Sequence, residues 1–571
     1  MLRLSQNRLI IISSIFLTLF YNYKFFKDFI LTYGFITSNI FYFLSVTVVL
    51  TLLIIFLLTL FSSKYTTKPI LITIFTISAF TAYFMDSYSI VIDSEMIRNS
   101  LQTSMKESVD LFSFRLVLYV VFLAIIPSYI IYTTKINYKS LKGEIVSKLK
   151  TITLSLVIIF IIIFSFSKFY TSFFREHKPL RYNANPIYWI YSIGNYVHKT
   201  LDTAPSEIKD IGLDAKIVEE KNEPKELIIL VIGETARADR FSLNGYSKET
   251  NPLLKQEELV SFTNMSSCGT STAHSVPCMF SIFPKDDYSY KKGAGTKNVL
   301  DVLNNTQDVA ILWRDNNSDS KGVALRVDYE DFQTPKTNTI CDEECRDEGM
   351  LVGLEDYIEK NRGKNILIVL HQMGNHGPAY YKRYPKEFEK FTPVCKTNQL
   401  ENCTQEEISN AYDNAILYTD YFLSKAINFL KKYSKTHEAG LLYVSDHGES
   451  LGENGIYLHG MPYAIAPKAQ THVPSLIWLD DGQMAHEYDI NKIKQNKDKE
   501  YSHDNLFDTL LGLFEVKTDL NKEITSHFTV FSIPTTLIFF DSKEFKRVGR
   551  NMSVALFIEE LKRPYNLMCE D

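Results

Sequence analysis

Large net charge is what this sequence lacks. Its 61 basic and 66 acidic residues leave a net charge of only -5 over 571 positions. Such a balance offers no basic tract that could bind a polyanion, so we exclude nucleic acid as a partner. The length exceeds one ordinary domain and predicts two or more.

Cysteine is missing from the first 267 residues, which instead hold long apolar runs. Several of these runs reach or approach the roughly 20 residues needed to cross a bilayer. The first run lacks a small-residue cleavage site, so we interpret it as a retained helix. The predicted spans are Leu9–Tyr23, Asn39–Phe61, Pro69–Met85, Leu116–Thr134 and Ile152–Phe166.

Basic residues predict the orientation of these five spans, because loops rich in lysine and arginine stay in the cytoplasm. They occur before the first span (Arg3, Arg8), between the second and third (Lys64, Lys68) and between the fourth and fifth (Lys135, Lys139, Lys142, Lys148). An odd number of spans then places everything after about residue 170 outside the cytoplasm. We expect a multi-pass membrane protein whose C-terminal domain lies outside the cytoplasm.

The cysteines agree with this topology. Six of the seven form close pairs in sequence, and Cys569 is left over: the pairs are Cys268/Cys278, Cys341/Cys345 and Cys395/Cys403. Close pairs in an exported domain indicate local disulfides. A zinc site is the alternative, but no pair has CxxC spacing with a matching second pair.

Composition divides the chain into four parts. We predict a five-span membrane domain over residues 1–170, then an aromatic and basic interfacial segment with a polar linker over 171–224. Residues 225–520 form an α/β/α domain. Residues 521–571, which contain Ile-Pro534-Thr, resemble the C-terminal half of a thioredoxin-like fold without a CxxC, and we assign them no redox activity.

Short apolar runs alternate with helical patterns through the third part. The runs are LIILVI (227–232), VAILW (309–313), ILIVL (366–370), LLYV (441–444) and VPSLIWL (473–479). Buried runs alternating with helices predict a parallel sheet that is covered on both faces. Ligands gather beyond the carboxyl ends of such strands.

Polar residues follow four of these runs directly. Glu234, Asp446 and His447 supply two carboxylates and an imidazole from different strand ends, a donor set suited to zinc. The stretch CGTSTAHSVPCMF predicts a turn and a short helix towards Phe280, with Thr272 near the helix N-terminus. Free N–H groups there favour an alkoxide and a bound phosphate, although a capping role for the threonine is the simpler alternative.

Five long motifs, in order, resemble the lipid A phosphoethanolamine transferases, the family that includes the plasmid-borne colistin-resistance enzymes. The motifs are VIGETARADRFSLNGY, CGTSTAHSVPCMFS, LWRDNNSDSKG, HQMGNHGPAYYKRYP and VSDHGESLGENGIYLHGMPYAIAPKAQTHVP. The resemblance covers roughly residues 1–515. It implies a five-helix transmembrane domain and an alkaline-phosphatase-like (sulfatase-like) α/β/α periplasmic domain.

The resemblance also implies roles for individual residues. Thr272 matches the family's nucleophile, and Glu234, Asp446 and His447 match its Zn²⁺ ligands, with the Thr272 oxygen as the fourth. Residues that match positions holding the phosphoethanolamine group are Asn317, Lys321, His376 and His459. His371 is interpreted as a structural histidine, and His274 and His503 stay unassigned.

The implied reaction has two halves. Thr272 takes phosphoethanolamine from phosphatidylethanolamine and releases diacylglycerol. An acceptor on lipid A, on another part of lipopolysaccharide or on another surface molecule, such as a glycan or a protein, then takes the group from Thr272. The added amine offsets anionic charge and confers resistance to cationic peptides such as polymyxin. We expect a monomer.

Three other kinds of function fit parts of this sequence. A sulfatase or phosphatase would share the fold, but the sulfatase Cys/Ser-x-Pro-x-Arg signature is absent near Thr272. A glycerol-phosphate polymerising transferase also joins five spans to this fold, and the paired cysteines argue only modestly against it. A non-catalytic membrane sensor would not need the assembled metal ligands.

Overall fold

The N-terminal part of the chain is a bundle of apolar helices. The computed structural model describes residues 3–34, 39–103, 105–175, 177–201, 207–218, 224–481, 484, 488 and 490–520. Its first helices are α1 (Gln6–Phe20), α2 (Tyr23–Tyr33), α3 (Ile40–Phe61), α4 (Thr67–Tyr88), α5 (Ser94–Gln102), α6 (Met105–Asp110), α7 (Phe114–Tyr119), α8 (Ile126–Thr133), α9 (Leu141–Ser165), α10 (Ser167–Arg175), α11 (Lys178–Tyr182) and α12 (Ile187–Leu201). A π-helical turn, Val120–Ile125, joins α7 to α8, and two short parallel strands, β1 (Arg3–Ser5) and β2 (Lys135–Asn137), pair beside the bundle.

Among the described residues, four helical stretches are long and apolar enough to cross a membrane: Ile40–Phe61, Thr67–Tyr88, Phe114–Thr133 and Leu141–Ser165. A 22-residue helix such as α3 extends about 33 Å, close to the thickness of a bilayer core. Large apolar side chains face outwards, for example Phe160 and Phe164 on α9. They are placed for contact with lipid chains.

The first predicted span differs from the structure. Instead of one helix over Leu9–Tyr23, α1 ends at Phe20 and α2 continues at an angle of 57°, so the two together form the fifth candidate span. The last span also begins earlier than predicted, because α9 includes the basic residues Lys142, Lys148 and Lys150 in its first turns. Lysines at a helix end do not interrupt a helix, although they interrupt the apolar pattern.

The aromatic segment after α9 folds partly against the bundle. Phe173 and Leu180 are buried in the core of the membrane helices, and Trp189 Nε1 donates to the Asn185 side chain over 3.1 Å. Its depth in a bilayer stays a prediction. The tail 521–571, with Pro534 and Cys569, lies outside the described residues.

The C-terminal domain is built on an eight-stranded sheet with the order β13-β5-β12-β9-β4-β8-β6-β7. Each of the five predicted apolar runs lies in a strand of this sheet. The domain's strands are β3 (Lys216–Ile217), β4 (Lys225–Gly233), β5 (Leu259–Ser266), β6 (Val309–Asp315), β7 (Asp328–Asp331), β8 (Asn365–His371), β9 (His437–Ser445), β10 (Ser450–Leu451), β11 (Tyr457–Leu458), β12 (His472–Leu479), β13 (Tyr501–Ser502) and β14 (Val516–Lys517).

The prediction of a parallel sheet is wrong for one strand. β12 runs antiparallel to both of its neighbours, β5 and β9, whereas the other neighbouring strands pair in parallel. After β9 the chain stays at the carboxyl end of that strand through the β10–β11 hairpin and enters β12 from the same end. Without a crossover back to the other end of the sheet, β12 must run antiparallel to β9. The prediction also missed β5, whose mixed sequence LVSFTNMS is less uniformly apolar than the five runs.

Helices cover both faces of the sheet and give the expected α/β/α layers. They are α13 (Thr272–Met279), α14 (Tyr290–Ala294), α15 (Val299–Asn305), α16 (Leu354–Lys360), α17 (Gln405–Leu430), α18 (Lys468–Thr471), α19 (Ile490–Asn496) and α20 (Asn505–Leu513). Alternate residues of β4 point into two separate hydrophobic cores, Leu227 into one and Ile228 into the other. The first core also takes in Tyr88 and Met96 of the membrane part.

Candidate active site

Two carboxylates and an imidazole meet where adjacent strands end. Glu234 directly follows β4, and Asp446 and His447 directly follow β9. These strands are parallel neighbours in register, with Gly233 opposite Ser445, so their carboxyl ends coincide. The three side chains are fully buried, and one ligand atom from each lies within 4.8 Å of the others.

Thr272 completes this group from a third strand. It follows β5 by six residues and is the first residue of α13, as its sequence predicted. Its hydroxyl Oγ1 donates to Glu234 Oε2 over 3.0 Å and lies 3.3 Å from His447 Nε2. We call Glu234, Thr272, Asp446 and His447 the sheet-edge group.

The donor atoms of the sheet-edge group fit a bound cation. His447 Nδ1 lies 3.0 Å from the carbonyl of Gly448, which can only accept, so Nδ1 carries the proton and Nε2 presents a lone pair. That lone pair faces Asp446 Oδ2 at 3.3 Å and Glu234 Oε1 at 3.6 Å. Acceptor atoms this close repel one another unless a cation lies between them, and carboxylate, hydroxyl and imidazole together suit zinc.

Burial shifts the pKa of both Asp446 and His447. It raises the pKa of Asp446 to about 6, and it lowers the pKa of His447 well below its usual value, helped by the nearby His459. The Asp446 carboxylate is stabilised by the backbone N–H groups of Thr235 and His447, which donate to Oδ1 over 3.2 and 2.7 Å. A neutral imidazole at neutral pH is the form that binds a metal.

Asn317 and Lys321 follow β6 and connect to the sheet-edge group. Asn317 Nδ2 donates to Glu234 Oε2 over 2.6 Å and to the Gln372 carbonyl over 2.8 Å. Lys321 Nζ donates to Ser318 Oγ over 2.6 Å, and Ser318 Oγ donates to Asn317 Oδ1 over 3.0 Å. A chain of hydrogen bonds therefore leads from a lysine whose side chain is 4% exposed to the Glu234 carboxylate.

His376 and His459 lie beside His447. The ring centroids of His447 and His459 are 4.4 Å apart, and those of His376 and His459 are 5.7 Å apart. Burial lowers the pKa of His376 well below its usual value, and the positive charges of Arg383 and His459 lower it further. We call Asn317, Lys321, His376 and His459 the loop group; the structure brings all of its members and the sheet-edge group into one site.

Glu449 is a residue of this site to which the sequence assigned no role. Its Oε2 lies 2.8 Å from His459 Nδ1, and its Oε1 accepts from the Tyr380 hydroxyl over 2.8 Å. A carboxylate on Nδ1 fixes the tautomer, so that in the neutral ring Nδ1 carries the proton and Nε2 the lone pair. Its position in the motif Asp446–His447–Gly–Glu449 is the signal that could have identified it. Its partner His459 is ten residues further along, so the sequence does not show their contact.

Asp347 is a second residue that the sequence did not single out. Its buried carboxylate accepts from Asn316 Nδ2 (2.8 Å) and from the backbone N–H groups of Met373 (2.9 Å) and Gly374 (3.1 Å). It thus ties the loop before Asn317 to the loop before His376. Nothing in its local sequence, RDEGM, indicates these partners.

Three further histidines are structural. His371 Nδ1 lies 2.9 Å from Asp315 Oδ2, as expected of a hydrogen-bonding histidine. His503 Nδ1 accepts from the Cys268 N–H over 3.0 Å and its Nε2 donates to the Ser445 carbonyl over 2.9 Å, so it joins the Thr272 loop to the end of β9. His274 packs between the rings of Tyr288 and Tyr290.

The predicted cysteine pairs are all present as disulfides: Cys268–Cys278, Cys341–Cys345 and Cys395–Cys403. The first encloses the turn that presents Thr272 and the beginning of α13. The predicted disulfides are thereby confirmed.

Comparison with known proteins decides the family. The description "Phosphoethanolamine transferase EptA/EptB" matches residues 50–201, and the sulfatase family model matches residues 226–516. The phosphatidylethanolamine transferase Mcr-1 of Escherichia coli is 43% identical over 526 residues, which cover 90% of this chain and 95% of that protein. This chain belongs to the phosphoethanolamine transferase family.

Other phosphoethanolamine transferases match most of the chain. EptA of Escherichia coli K12 is 41% identical over 84% of this chain and 88% of its own. The solved structure of the integral membrane lipooligosaccharide phosphoethanolamine transferase A from Neisseria meningitidis superposes with a TM-score of 0.86 at 34% identity, covering 90% of this chain and 96% of that one. The membrane domain joined to a sulfatase-like α/β/α domain is therefore confirmed as a fold of this family.

Proposed function

We propose that this enzyme transfers phosphoethanolamine from phosphatidylethanolamine to lipid A through a phosphorylated Thr272. The observation that carries the proposal is the hydroxyl of Thr272 at the helix N-terminus, in hydrogen-bonding distance of Glu234 and His447. The relatives named phosphatidylethanolamine transferase and lipooligosaccharide phosphoethanolamine transferase support the donor and the class of acceptor.

Glu234, Asp446, His447 and the Thr272 oxygen would hold zinc. Bound there, zinc would favour the alkoxide of Thr272 at neutral pH and offset charge on the phosphoryl oxygens. Side chains of the protein supply the other roles in the reaction.

In the first half of the reaction, Thr272 Oγ1 forms a bond to phosphorus and the bond from phosphorus to the diacylglycerol oxygen breaks. Lys321 offers a point charge to the phosphoryl group, and the α13 N-terminus favours negative charge at the same place. In its charged form, protonated at both nitrogens and held at Nδ1 by Glu449, His459 can deliver the Nε2 proton to the departing diacylglycerol oxygen. Thr272 then carries phosphoethanolamine.

In the second half, an oxygen of the acceptor attacks phosphorus and the Thr272 oxygen leaves. His376 and His459 lie side by side and can remove the proton of an acceptor hydroxyl or orient an acceptor phosphate. One chain contains every residue used, so a monomer suffices.

The proposal includes the cellular setting. The membrane domain of residues 1–170 and the segment 171–224 anchor the enzyme in the bacterial inner membrane, and the catalytic domain of residues 225–520 acts in the periplasm, where both lipid headgroups are exposed. The added amine offsets anionic charge on lipid A and lowers the binding of polymyxin and similar cationic peptides.

Mass spectrometry of lipid A tests the function. Cells that express the enzyme should gain a lipid A species heavier by one phosphoethanolamine group, and cells that express Thr272→Ala at equal level should not. A lipid A profile that is the same with the enzyme, the variant and an empty vector would contradict the proposed acceptor.

A further inference from the structure

A segment of the membrane domain reaches the active-site end of the C-terminal domain. We call residues 89–113, between α4 and α7, the connecting segment. Ser89 Oγ donates to the carbonyl of Gly455 over 2.7 Å. Asn398 Nδ2 donates to the carbonyls of Asp110 and Phe112 over 2.7 and 2.6 Å.

The fit beside His459 is close. A Cβ atom added to Gly460 would lie 2.4 Å from Met96 Cε, the end of a flexible side chain of the connecting segment, so Met96 would have to move to admit one. Gly460 also has a φ of +84°, which favours glycine. The residue after His459 therefore packs directly on the membrane domain.

Asp110 makes two ion pairs across this boundary. Its carboxylate receives Arg383 Nη2 at 2.7 Å and Lys382 Nζ at 2.6 Å. The side chains of Asp110 and Arg383 are 5% and 1% exposed. A buried charge of this kind requires its partner, because each charge alone would be costly to desolvate.

Arg383 carries the contact on to the active site. Its Nε donates to the carbonyl of His376 over 2.6 Å, while Nη1 pairs with the carboxylate of Glu344. The guanidinium is rigid and planar, so the direction of Nε is fixed by what the other two nitrogens bind. Asp110 thus lies two hydrogen bonds from the backbone of His376.

We propose that Asp110 is a positioning residue, which holds His376 in place through Arg383 and makes the catalytic site depend on the docked connecting segment. The inference rests on the proposed function, in which His376 orients the acceptor. The side chain of Asp110 pairs with Lys382 and Arg383, and Arg383 is the partner that donates to the His376 carbonyl. Removing its charge leaves Glu344 as the one carboxylate paired with Arg383 among the described residues and allows the guanidinium to turn.

Steady-state transfer by the purified full-length enzyme in detergent micelles tests the proposal, with phosphatidylethanolamine as donor and lipid A as acceptor. We expect Asp110→Asn to lower kcat about 10- to 50-fold while the KM for the donor changes less than threefold, because a misplaced loop costs rate more than binding. Asp110→Glu should recover at least one third of the lost rate. Lys382→Met is the matched control: it removes the other ion pair of Asp110 and should keep kcat within twofold.

A double-mutant cycle separates positioning from a general loss of stability. If Asp110 acts through Arg383, the double variant Asp110→Asn/Arg383→Gln should have the same kcat as Arg383→Gln within twofold. Effects that multiply would overturn the proposal, as would a wild-type kcat for Asp110→Asn or a loss in Lys382→Met as large as in Asp110→Asn.

Folding is checked by the unfolding midpoint of each variant. If Asp110→Asn does not fold, Arg383→Lys is the deciding variant. A lysine keeps a positive charge for the two carboxylates but cannot also reach the His376 carbonyl. A tenfold loss of kcat in Arg383→Lys supports the proposal, and a wild-type kcat overturns it. Thr272→Ala is assayed in parallel. Transfer that survives in Thr272→Ala overturns the proposed function itself, whereas an inactive Thr272→Ala beside a fully active Asp110→Asn overturns only the positioning role.

Discussion

The sheet-edge group and the loop group are held in place by different means. Glu234 and Asp446 each follow a buried strand at once, and the register of β4 and β9 alone brings them together. His376 lies in the loop after β8 and His459 directly follows β11, and hydrogen bonds from Arg383 to the His376 carbonyl and between His459 and Glu449 hold them. The comparison teaches that the proposed metal ligands are fixed by the sheet, whereas the residues proposed to surround the substrate are fixed by contacts between loops.

The largest expected effect is the loss of a sheet-edge ligand. Glu234→Gln keeps the shape of the side chain but removes its charge, so bound metal should be lost and transfer should fall at least 1,000-fold, on the order of 4 kcal/mol. Elemental analysis and a transfer assay measure the two quantities. Glu226→Gln, at the opposite end of the same strand, is the control and should keep both.

The comparison would be supported if Glu234→Gln contains no zinc and has no transfer activity, while Glu226→Gln keeps its zinc and its activity. A Glu234→Gln enzyme with full metal content and wild-type transfer would contradict the assignment of this edge of the sheet.

A smaller effect is expected in the loop group. Glu449→Gln can still accept from His459 Nδ1 but no longer stabilises its charged form, and hydrogen bonds to charged groups contribute about 1.5–3 kcal/mol. Transfer should therefore fall roughly 10- to 150-fold while the metal content stays unchanged. Tyr380→Phe, which removes only the second partner of Glu449, should have a weaker effect.

The combined variant identifies the route of this effect. In the background His459→Ala, Glu449→Gln should cost nothing more, because its partner is already absent. A further tenfold loss in the double variant, or a loss of metal in Glu449→Gln, would show that Glu449 acts outside the loop group.

The smallest effect concerns pH and stability. Burial lowers the pKa of His503 to about 4, while the unfolded chain takes up the proton near pH 6.5. The contribution of His503 to stability is therefore complete above pH 6.5 and is lost as the pH falls towards 4. At pH 5 the loss is about 2 kcal/mol, an upper bound for one group.

Unfolding of the full-length enzyme in detergent at pH 7.5 and pH 5 measures this loss. The stability difference between wild type and His503→Asn should shrink by up to about 2 kcal/mol at the lower pH, because the neutral asparagine takes up no proton. An unchanged difference would mean that the pKa of His503 is the same in the folded and the unfolded chain.

Sequence reasoning found the site to different extents in the two groups. Runs such as LIILVI are uniformly apolar because they are buried on both faces, so their ends, and Glu234 and Asp446 with them, could be read directly. The direction of β12 was missed, since an apolar run carries no sign of its orientation. The local sequence alone predicts Thr272 near a helix N-terminus, and the structure makes it the first residue of α13.

The supports of the loop group could not be read in this way. Arg383 and Asp110 are 273 positions apart, and Glu344 and Arg383 are 39 apart. Each has an ordinary local sequence, and only the docking of the membrane domain brings Asp110 to Arg383. The role of Asp347 likewise comes from contacts with two other loops.

The most direct test of the account is the covalent state of Thr272. Purified enzyme incubated with phosphatidylethanolamine in the absence of lipid A should accumulate phosphoethanolamine on the peptide Cys268–Lys285, detectable by peptide mass spectrometry and localised to Thr272. Adding lipid A should remove the group, and Thr272→Ala should never carry it. Efficient transfer by an enzyme whose Thr272 stays unmodified, or transfer that persists in Thr272→Ala, would contradict the mechanism.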